Sequence, residues 1–343
     1  MRLPPVSLDH LSALCDDTGL IEHAWLAVPR RESGYTADDN GRLLVVLARA
    51  DPDRLSEESR GQVLRLCRLG LGYLQHAALR RETGFHNRLS FERRWLDQRG
   101  SDDSIGRALW GLGTLAARTG EAHLREAAHA LFFQHYRLAS PYSRAIIYAI
   151  LGGLEMAELD GSAELRRQLR SWAGQLPQRS GVWRWPEPRL VYDNARLPEA
   201  LMGVGATLSD DRLVQTGLGL LEWLVETETA PGGSHFSFTP VAGRDPSHLG
   251  PGFDQQPIEA WAMIDACVLA GRLAGAAWQE PAIMATEWFL GRNDVGAMMV
   301  DHATGAGFDG LTPTGPNRNR GAESTLAAVA AMSHAWINSP DRS

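Results

Sequence analysis

Acidic side chains recur in this sequence just before apolar, helix-forming segments, and two of these places carry adjacent carboxylates. Asp38 and Asp39 precede the apolar run 40–50, and Asp102 and Asp103 precede a second such run. Two carboxyl groups facing each other across a cleft can hydrolyse a glycosidic bond, because one protonates the leaving oxygen while the other activates water or attacks the sugar carbon. Asp and Asn also cap helix N-termini, so these residues have a purely structural alternative.

The same arrangement occurs six times along the chain. Four copies place a polar cap, a small residue and then an arginine at the start of an apolar helix, and these arginines are Arg42, Arg107, Arg144 and Arg196. The other two copies have Glu259 and Glu323 in place of the arginine. Successive copies lie roughly 40 to 65 residues apart, which leaves room for one helical hairpin and a variable loop.

The segments between the copies predict the elements that position these residues. Amphipathic patterns occupy 8–15, 56–80, 121–136, 163–174, 211–228 and 278–290, and they alternate with nearly all-apolar helices. A helix that is apolar on all sides must be surrounded by protein. We therefore predict an all-α (α/α)6 toroid with six inner and six outer helices, formed as one domain over residues 1–343. An open α-solenoid is the alternative architecture.

The long loops all precede the inner helices, and long loops in compact domains are usually functional. The N-termini of the inner helices should therefore meet at one mouth, which collects carboxylates, arginines and aromatic rings able to bind a sugar. The predicted substrate-binding residues are Tyr35, Asp38, Arg42, Trp95, Asp102, Arg107, Trp185, Tyr192, Asp193, Asn194, His235, Asp254, Gln255, Gln256, Glu259 and Asn319.

Glu323 and Asp39 are the predicted catalytic pair, because ring closure makes their two helices neighbours. Glu323 lies inside its helix, where capping does not explain it, and partly buried surroundings would raise its pKa as a general acid requires. The alternative is that Glu259 and Glu323 form salt bridges to the arginines of the sister helices. We expect Asp39 to act as the base, kept ionised by solvent and Arg42, with Asp103 as the reserve base.

Composition and motifs argue against several other classes of function. The net charge of −7 does not suit a nucleic-acid or anionic-membrane surface. No run approaches the roughly 18 apolar residues of a membrane span, and the N-terminus lacks a signal-peptide pattern. The three separated cysteines, Cys15, Cys67 and Cys267, are typical of reduced core residues in a cytoplasmic protein. No metal-ligand spacing or phosphate-loop motif occurs, so we expect no metal and no cofactor.

Seven segments of the sequence are distinctive in combination: DDTGLIEHA, GYTADDNGRLL, RRWLDQRGSDDSIGRALWGLG, YDNARLPEAL, FDQQPIEAWAM, LGRNDVG and DGLTPTGPNRNRGAEST. Together they resemble a family of bacterial (α/α)6-barrel proteins that are associated with group-1-type glycosyltransferases and mannoside-processing genes. The resemblance covers nearly the whole chain and implies a carbohydrate-active toroid, with no glycosyltransferase domain expected in these residues. The architecture is also similar to inverting (α/α)6 glycoside hydrolases, which take an early Asp as base and a late Glu as acid, and the Asp38–Asp39 pair resembles that of (α/α)6 endo-mannanases.

The leading hypothesis is a glycosidase acting on an oligosaccharide that contains mannose or glucose, with the non-reducing end in a deep pocket. A sugar 2-epimerase or isomerase is the first alternative, with His235 or His248 exchanging a proton on a sugar carbon. A non-catalytic glycan-binding partner of a glycosyltransferase is the second. Phosphorolysis in place of hydrolysis, and inversion or retention at the sugar carbon, stay open at this point.

Overall fold

The computed structural model describes residues 5–177 and 183–334, and within them the chain is mainly helical. The helices are α1 (Asp9–Ala13), α2 (Ala37–Arg49), α3 (Glu57–Ala77), α4 (Asp102–Arg118), α5 (Ala122–His135), α6 (Ser143–Leu159), α7 (Ala163–Ala173), α8 (Arg196–Leu208), α9 (Asp211–Glu228), α10 (Pro257–Ala274), α11 (Gln279–Trp288) and α12 (Ala322–Ser333). The ends of the predicted outer helices agree with the observed ends to within three residues. None of these helices is both long and apolar enough to cross a membrane.

The inner helices form a closed ring. Helices α2, α4, α6, α8, α10 and α12 pack against one another in chain order, and α12 then packs against α2. Helices α3, α5, α7, α9 and α11 each cover the outside beside a neighbouring inner helix, and the short α1 packs against α12 and α3. The structure thus confirms the predicted (α/α)6 toroid over the open solenoid.

Glycines let three neighbouring inner helices pack backbone against backbone. A Cβ atom at Gly111 would overlap the carbonyl oxygen of Gly41 in α2, and one at Gly113 would overlap that of Gly152 in α6. Only glycine fits such close approaches, since any side chain would have to displace a backbone atom. The first turns of α2 and α4, which carry the two Asp pairs, are therefore held close together.

Aromatic rings and a buried arginine fill the axis of the ring below the mouth. Trp110 of α4 and Trp261 of α10 come from opposite sides of the ring and stack with their centroids 5.5 Å apart. The guanidinium group of Arg196 lies 4.6 Å from the Trp110 centroid and 4.7 Å from the Trp261 centroid. It also donates to Glu199 and Asp265, both at 2.6 Å. These side chains therefore form a floor below the mouth, so the mouth does not continue as a channel through the ring.

Short two-stranded sheets shape the loops around the mouth. The strands are β1 (Ala24–Trp25), β2 (Val28–Pro29), β3 (Tyr35–Thr36), β4 (Arg88–Leu89), β5 (Val300–Asp301), β6 (Ala306–Gly307), β7 (Gly310–Thr312) and β8 (Gly315–Asn317). They pair antiparallel as β1 with β2, β3 with β4, β5 with β6 and β7 with β8. The apolar stretch 20–28 forms part of the first hairpin, whose preceding residues reach the mouth.

Candidate active site

A polar cavity of about 520 Å³ opens at the N-terminal ends of the inner helices. Carboxyl side chains dominate its described lining, and two arginines lie among them. The carboxyl groups belong to Glu22, Asp38, Asp39, Asp103, Asp254, Asp309 and Glu323, and the other lining residues include Arg42, Arg107, His23, Tyr192, Thr36, Gln256, Asn317 and Ser324.

Asp39 lies at the first turn of α2 and is almost completely buried, with 4% of its surface exposed. Thr36 caps this helix: its hydroxyl accepts from the Asp39 backbone N–H at 3.1 Å and donates to Asp39 Oδ2 at 2.9 Å. Asp39 Oδ1 accepts from Arg42 Nη1 at 2.7 Å. Burial raises the pKa of Asp39 to about 6, although Arg42 opposes the shift. The expected exposure of Asp39 to solvent is therefore wrong, because capping turns its carboxyl group into the protein, whereas the expected contact with Arg42 does form.

Glu323 lies in the first turn of α12, and its side chain is 37% exposed. Its Oε2 accepts from Arg42 Nη2 at 2.5 Å, and its Oε1 accepts no hydrogen bond from the described residues. Glu323 is thus partly buried, as expected, and the first turn of α12 opens into the cavity. The ion pair with a sister-helix arginine, considered above as the alternative, does form. Arg42 thus links the two predicted catalytic residues.

Asp38 and Asp103 flank the second arginine of the cavity. Arg107 Nη1 donates to Asp103 Oδ2 at 2.6 Å and lies 3.4 Å from Asp38 Oδ1. Asp103 Oδ2 also accepts from the Tyr192 hydroxyl at 3.2 Å, and burial raises the pKa of Asp103 despite Arg107. Asp38 is half-buried, and its second oxygen accepts only a long hydrogen bond of 3.3 Å from Asn87. Asp38 is therefore less firmly held than Asp39 or Asp103.

Asp254 and Asp309 form another acidic part of the lining. Asp309 Oδ1 accepts from the Gly321 backbone N–H at 2.6 Å and from Ser324 Oγ at 2.8 Å, at the start of α12. Burial, and then the charge of Asp309, raise the pKa of Asp254. The described residues contain no group of three or more His, Cys, Asp or Glu side chains arranged to hold a metal ion.

About half of the predicted site residues line the cavity, and most of the others are buried or half-buried in the protein around it. The lining members are Glu323, Asp39, Asp103, Asp38, Arg42, Arg107, Tyr192, Asp254 and Gln256. Tyr35, Trp185, Asp193, Asn194, Gln255 and Glu259 are buried, and Trp95 is half-buried against the ring of His86. Their polar groups bind neighbouring protein groups. Glu259, for example, accepts from the backbone N–H groups of Asp193 and Asn194, and burial raises its pKa well above the usual range.

The remaining predicted residues lie around the cavity rather than in its lining. Asp102 accepts from Arg99 at 2.9 Å, and Asn319 Oδ1 accepts from the Leu26 backbone N–H at 3.0 Å. His235 Nε2 lies 3.1 Å from Asp294 Oδ1. His248 is exposed beside Asp245, so neither predicted histidine lines the cavity.

Sequence reasoning missed Glu22 and His23 as lining residues. The adjacent acidic residue and histidine within the segment DDTGLIEHA were the available signal. Glu22 accepts from Arg88 Nη2 at 2.9 Å, and its carbonyl oxygen accepts from the Ala322 backbone N–H at 3.0 Å. The pair is thereby fixed beside the start of α12.

Solved structures that share this fold include a sugar epimerase and glycoside hydrolases. The chain is similar to cellobiose 2-epimerase from Bacillus thermoamylovorans, with a TM-score of 0.69 and 9% identity over 95% of this chain and 96% of that chain. It is also similar to a family 76 α-mannanase from Bacteroides thetaiotaomicron, with a TM-score of 0.64 and 11% identity over 95% of this chain and 93% of that chain. A metagenome-derived family 9 endoglucanase has a TM-score of 0.60 and 14% identity over 92% of this chain and 70% of that chain.

These likenesses establish the fold alone, since the identities are low. The sequence matches no protein-family model, and no curated protein is significantly similar to it. The resemblance to (α/α)6 proteins is therefore confirmed for the architecture, while the association with glycosyltransferases has no support.

Proposed function

We propose that this protein is a sugar-processing enzyme and, within that class, a glycoside hydrolase with Glu323 as general acid and Asp38 as general base. The observation that carries the proposal is the pair of accessible carboxyl groups on adjacent inner helices, in a cavity lined mostly by hydrogen-bonding side chains. Paired carboxyl groups are what hydrolysis of a glycosidic bond requires. The solved structures of similar fold that are described as an α-mannanase and an endoglucanase agree with this chemistry.

Glu323 suits the role of proton donor by its position. Arg42 holds one of its oxygens, which fixes the orientation of the carboxyl group, and the other oxygen is free of hydrogen bonds from the described residues. That free oxygen would carry the proton to the glycosidic oxygen of a bound sugar. Asp103, whose pKa is raised by burial, is the second candidate for this role.

Asp38 suits the role of base better than Asp39. Each oxygen of Asp39 already accepts a hydrogen bond, from Arg42 or from Thr36, and only 4% of the residue is exposed, so little of its carboxyl group is accessible to water in the cavity. Asp38 makes only long contacts and lines the cavity. Asp39 is then a positioning residue, because it holds Arg42 and through Arg42 the carboxyl group of Glu323.

The charges of the cavity favour water over phosphate as the attacking group. Arg42 and Arg107 are the arginines of the described lining, and each already lies between two carboxyl groups. An incoming phosphate would meet several carboxylates and would have to displace these ion pairs, which is unfavourable. Hydrolysis is therefore preferred to phosphorolysis, and a neutral sugar to an anionic one.

Kinetics of three variants on manno- and gluco-oligosaccharides test this assignment. Asp38→Asn and Glu323→Gln should each lower kcat about 10²- to 10⁴-fold, the usual effect of removing a general acid or base. An aryl glycoside with a good leaving group needs no acid, so it should restore turnover to Glu323→Gln and not to Asp38→Asn. Asp102→Asn, on the rim and bound to Arg99, is the matched control and should retain near-wild-type kcat.

Retention of kcat by Glu323→Gln on a substrate with a poor leaving group would exclude it as the acid, and Asp103→Asn would then be tested next. An equal loss in Asp39→Asn and Asp38→Asn, with rescue of neither, would contradict the division between base and positioning residue.

A sugar epimerase is the second candidate, because His23 lines the cavity and a solved structure of similar fold is that of a cellobiose 2-epimerase. Histidine titrates near neutral pH and can exchange a proton on a sugar carbon. Incorporation of deuterium from solvent at C2 of an intact sugar, lost in His23→Gln, would favour this candidate over the hydrolase.

A further inference from the structure

A solvent-exposed tryptophan stands at the edge of the cavity, on the hairpin formed by β1 and β2. Trp25 is 70% exposed, and its cross-strand partner Val28 is also exposed. Large aromatic side chains are usually buried, and Trp110, Trp172, Trp185 and Trp288 of this chain are almost completely so. Among the tryptophans of the described residues, Trp25 alone is exposed, so its ring is available to a ligand.

Trp25 lies two residues after His23, a residue of the cavity lining, on the same extended stretch of chain. The buried Ala24 lies between them. Alternate residues of an extended chain project to the same side, so Trp25 continues the surface that His23 begins. The ladder runs past β1, since the Arg30 backbone N–H donates to the His23 carbonyl at 2.8 Å.

The hairpin is anchored to the segment that carries the proposed acid. The Ala322 backbone N–H donates to the Glu22 carbonyl oxygen at 3.0 Å, and Leu26 donates its backbone N–H to Asn319 Oδ1 at 3.0 Å. Both bonds join the hairpin to the start of α12, directly before Glu323. The backbone on either side of Trp25 is thus fixed relative to the start of α12, as a binding subsite on this hairpin requires.

A second ring borders the cavity from across the toroid. Tyr192 precedes α8, which lies opposite α2 in the ring of inner helices. Its hydroxyl donates to Asp103, and the guanidinium groups of Arg107 and Arg144 lie 5.8 and 5.7 Å from its ring centroid. An extended ligand can therefore pass from Tyr192, over the carboxyl groups, toward Trp25.

From this arrangement we infer that Trp25 is a further sugar-binding subsite at the edge of the cavity, so the substrate is an oligosaccharide that extends beyond the pocket. The indole face would stack on the apolar face of a distal sugar ring, which gains from burial of both surfaces. A monosaccharide or disaccharide held at the carboxyl groups would leave this ring uncovered. The inference rests on the proposed action on sugars and narrows its substrate to longer chains.

The test compares manno- and gluco-oligosaccharides from disaccharide to hexasaccharide. Trp25→Ala should lower kcat/KM about tenfold for the longer chains, mainly through KM, and should leave disaccharides nearly unchanged. Trp25→Phe, which keeps a ring, should recover most of the loss. Val28→Ala is the matched control, because it trims the same hairpin without removing a ring.

Binding is measured in parallel, so that failure of hydrolysis does not decide the question. Titration calorimetry of the same oligosaccharides into Glu323→Gln, with and without Trp25→Ala, should show the loss of affinity for long chains only. If wild type cleaves none of the oligosaccharides but this difference in affinity is seen, the hydrolase proposal fails and the subsite stands. Equal affinities for long chains with and without the indole ring, or no binding of any chain, would overturn the inference.

Discussion

Asp39 shows how a contact at a helix cap changes the accessibility and the pKa of a carboxyl group. As a member of the first helical turn it exchanges two hydrogen bonds with Thr36, and this capping draws its carboxyl group away from water. Burial then raises its pKa to about 6, whereas the carboxyl group of its sequence neighbour Asp38, also in the lining, is more exposed. The two adjacent aspartates therefore have different surroundings, which is why we propose different roles for them.

The raised pKa of Asp39 predicts a pH-dependent stability. The native protein keeps this proton up to about pH 6, whereas the unfolded chain releases it near about pH 4, so the contribution of Asp39 is complete below about pH 4 and is lost as the pH rises through about 6. Asp39→Asn removes this titration. The free energy of unfolding of Asp39→Asn, relative to wild type, should rise by about 2 to 3 kcal/mol between about pH 4 and about pH 7.

Urea denaturation of both proteins across this pH range measures the difference. The other titrating groups are common to both proteins, so their contributions largely cancel in the difference between the two free energies of unfolding. A difference that stays constant with pH would mean that Asp39 is ionised throughout, as a solvent-exposed base would be, and would restore it as a candidate for catalysis.

The burial of individual site residues was beyond prediction from the sequence. The adjacent aspartates, Arg42 and Glu323 could be assigned to one mouth, because the repeat and its caps are visible in the sequence. Which of the two aspartates is more exposed depends on the hydroxyl of Thr36 and on the angle at which the chain enters α2. No residue pattern encodes that angle, and the expected exposure of Asp39 to solvent was wrong for this reason.

At the scale of elements, close packing of glycine-bearing helices holds the site together. The backbones of α2, α4 and α6 touch at Gly41, Gly111, Gly113 and Gly152, which brings the helix starts that carry Asp38 and Asp103 side by side. Some glycines of the outer helices make no such contact. Gly72 lies exposed in α3, and a Cβ atom there would meet nothing within 4 Å.

Alanine substitution should separate these two kinds of glycine. Gly113→Ala forces a methyl group against the backbone of α6 and should destabilise the protein by about 1 to 3 kcal/mol, as overpacking does. Gly72→Ala, the matched control, should stabilise it by about 0.5 to 1 kcal/mol, since alanine loses less entropy in a helix. Urea denaturation midpoints measure both changes. A Gly113→Ala protein as stable as Gly72→Ala would show that α4 and α6 are not in backbone contact.

The elements differ in how far the sequence predicts them. Outer helices such as α9 have amphipathic periods that mark their ends, and the inner helices follow from their all-apolar character. The mouth loops have no such period. The β1–β2 hairpin depends on long-range bonds such as the one from Leu26 to Asn319, and pairing of β3 with β4 joins segments about fifty residues apart in the chain. These contacts place Glu22 and His23, which sequence reasoning therefore missed.

For the molecule as a whole, the axis of the toroid carries charge as well as apolar rings. Arg196 has no exposed surface, and it lies between the carboxyl groups of Glu199 and Asp265 and the rings of Trp110 and Trp261. The floor of the cavity therefore depends on the ion pairs of Arg196, which have lost most of their hydration.

Removing one partner of such a buried set should be costly. Arg196→Met leaves two carboxyl groups without their shared cation and should lower the free energy of unfolding by about 3 to 5 kcal/mol. Arg137→Met breaks an ion pair with Glu164 on the surface, where solvent screens both charges, and should leave the thermal midpoint nearly unchanged. Differential scanning calorimetry of both variants checks the contrast. Similar thermal midpoints for the two variants would show that the ion pairs of Arg196 are dispensable to the toroid.

One measurement tests most directly that this toroid cleaves sugars with paired carboxyl groups. Proton NMR in deuterium oxide follows a manno- or gluco-hexasaccharide with wild type and with Glu323→Gln, and it reports new reducing ends and hydrogen exchange at C2 together. We predict that wild type forms new reducing ends and introduces no deuterium at C2. Glu323→Gln should form reducing ends at a rate lower by about 10²- to 10⁴-fold. Deuterium entering C2 of an uncleaved sugar, at equal rates with both proteins, would contradict it.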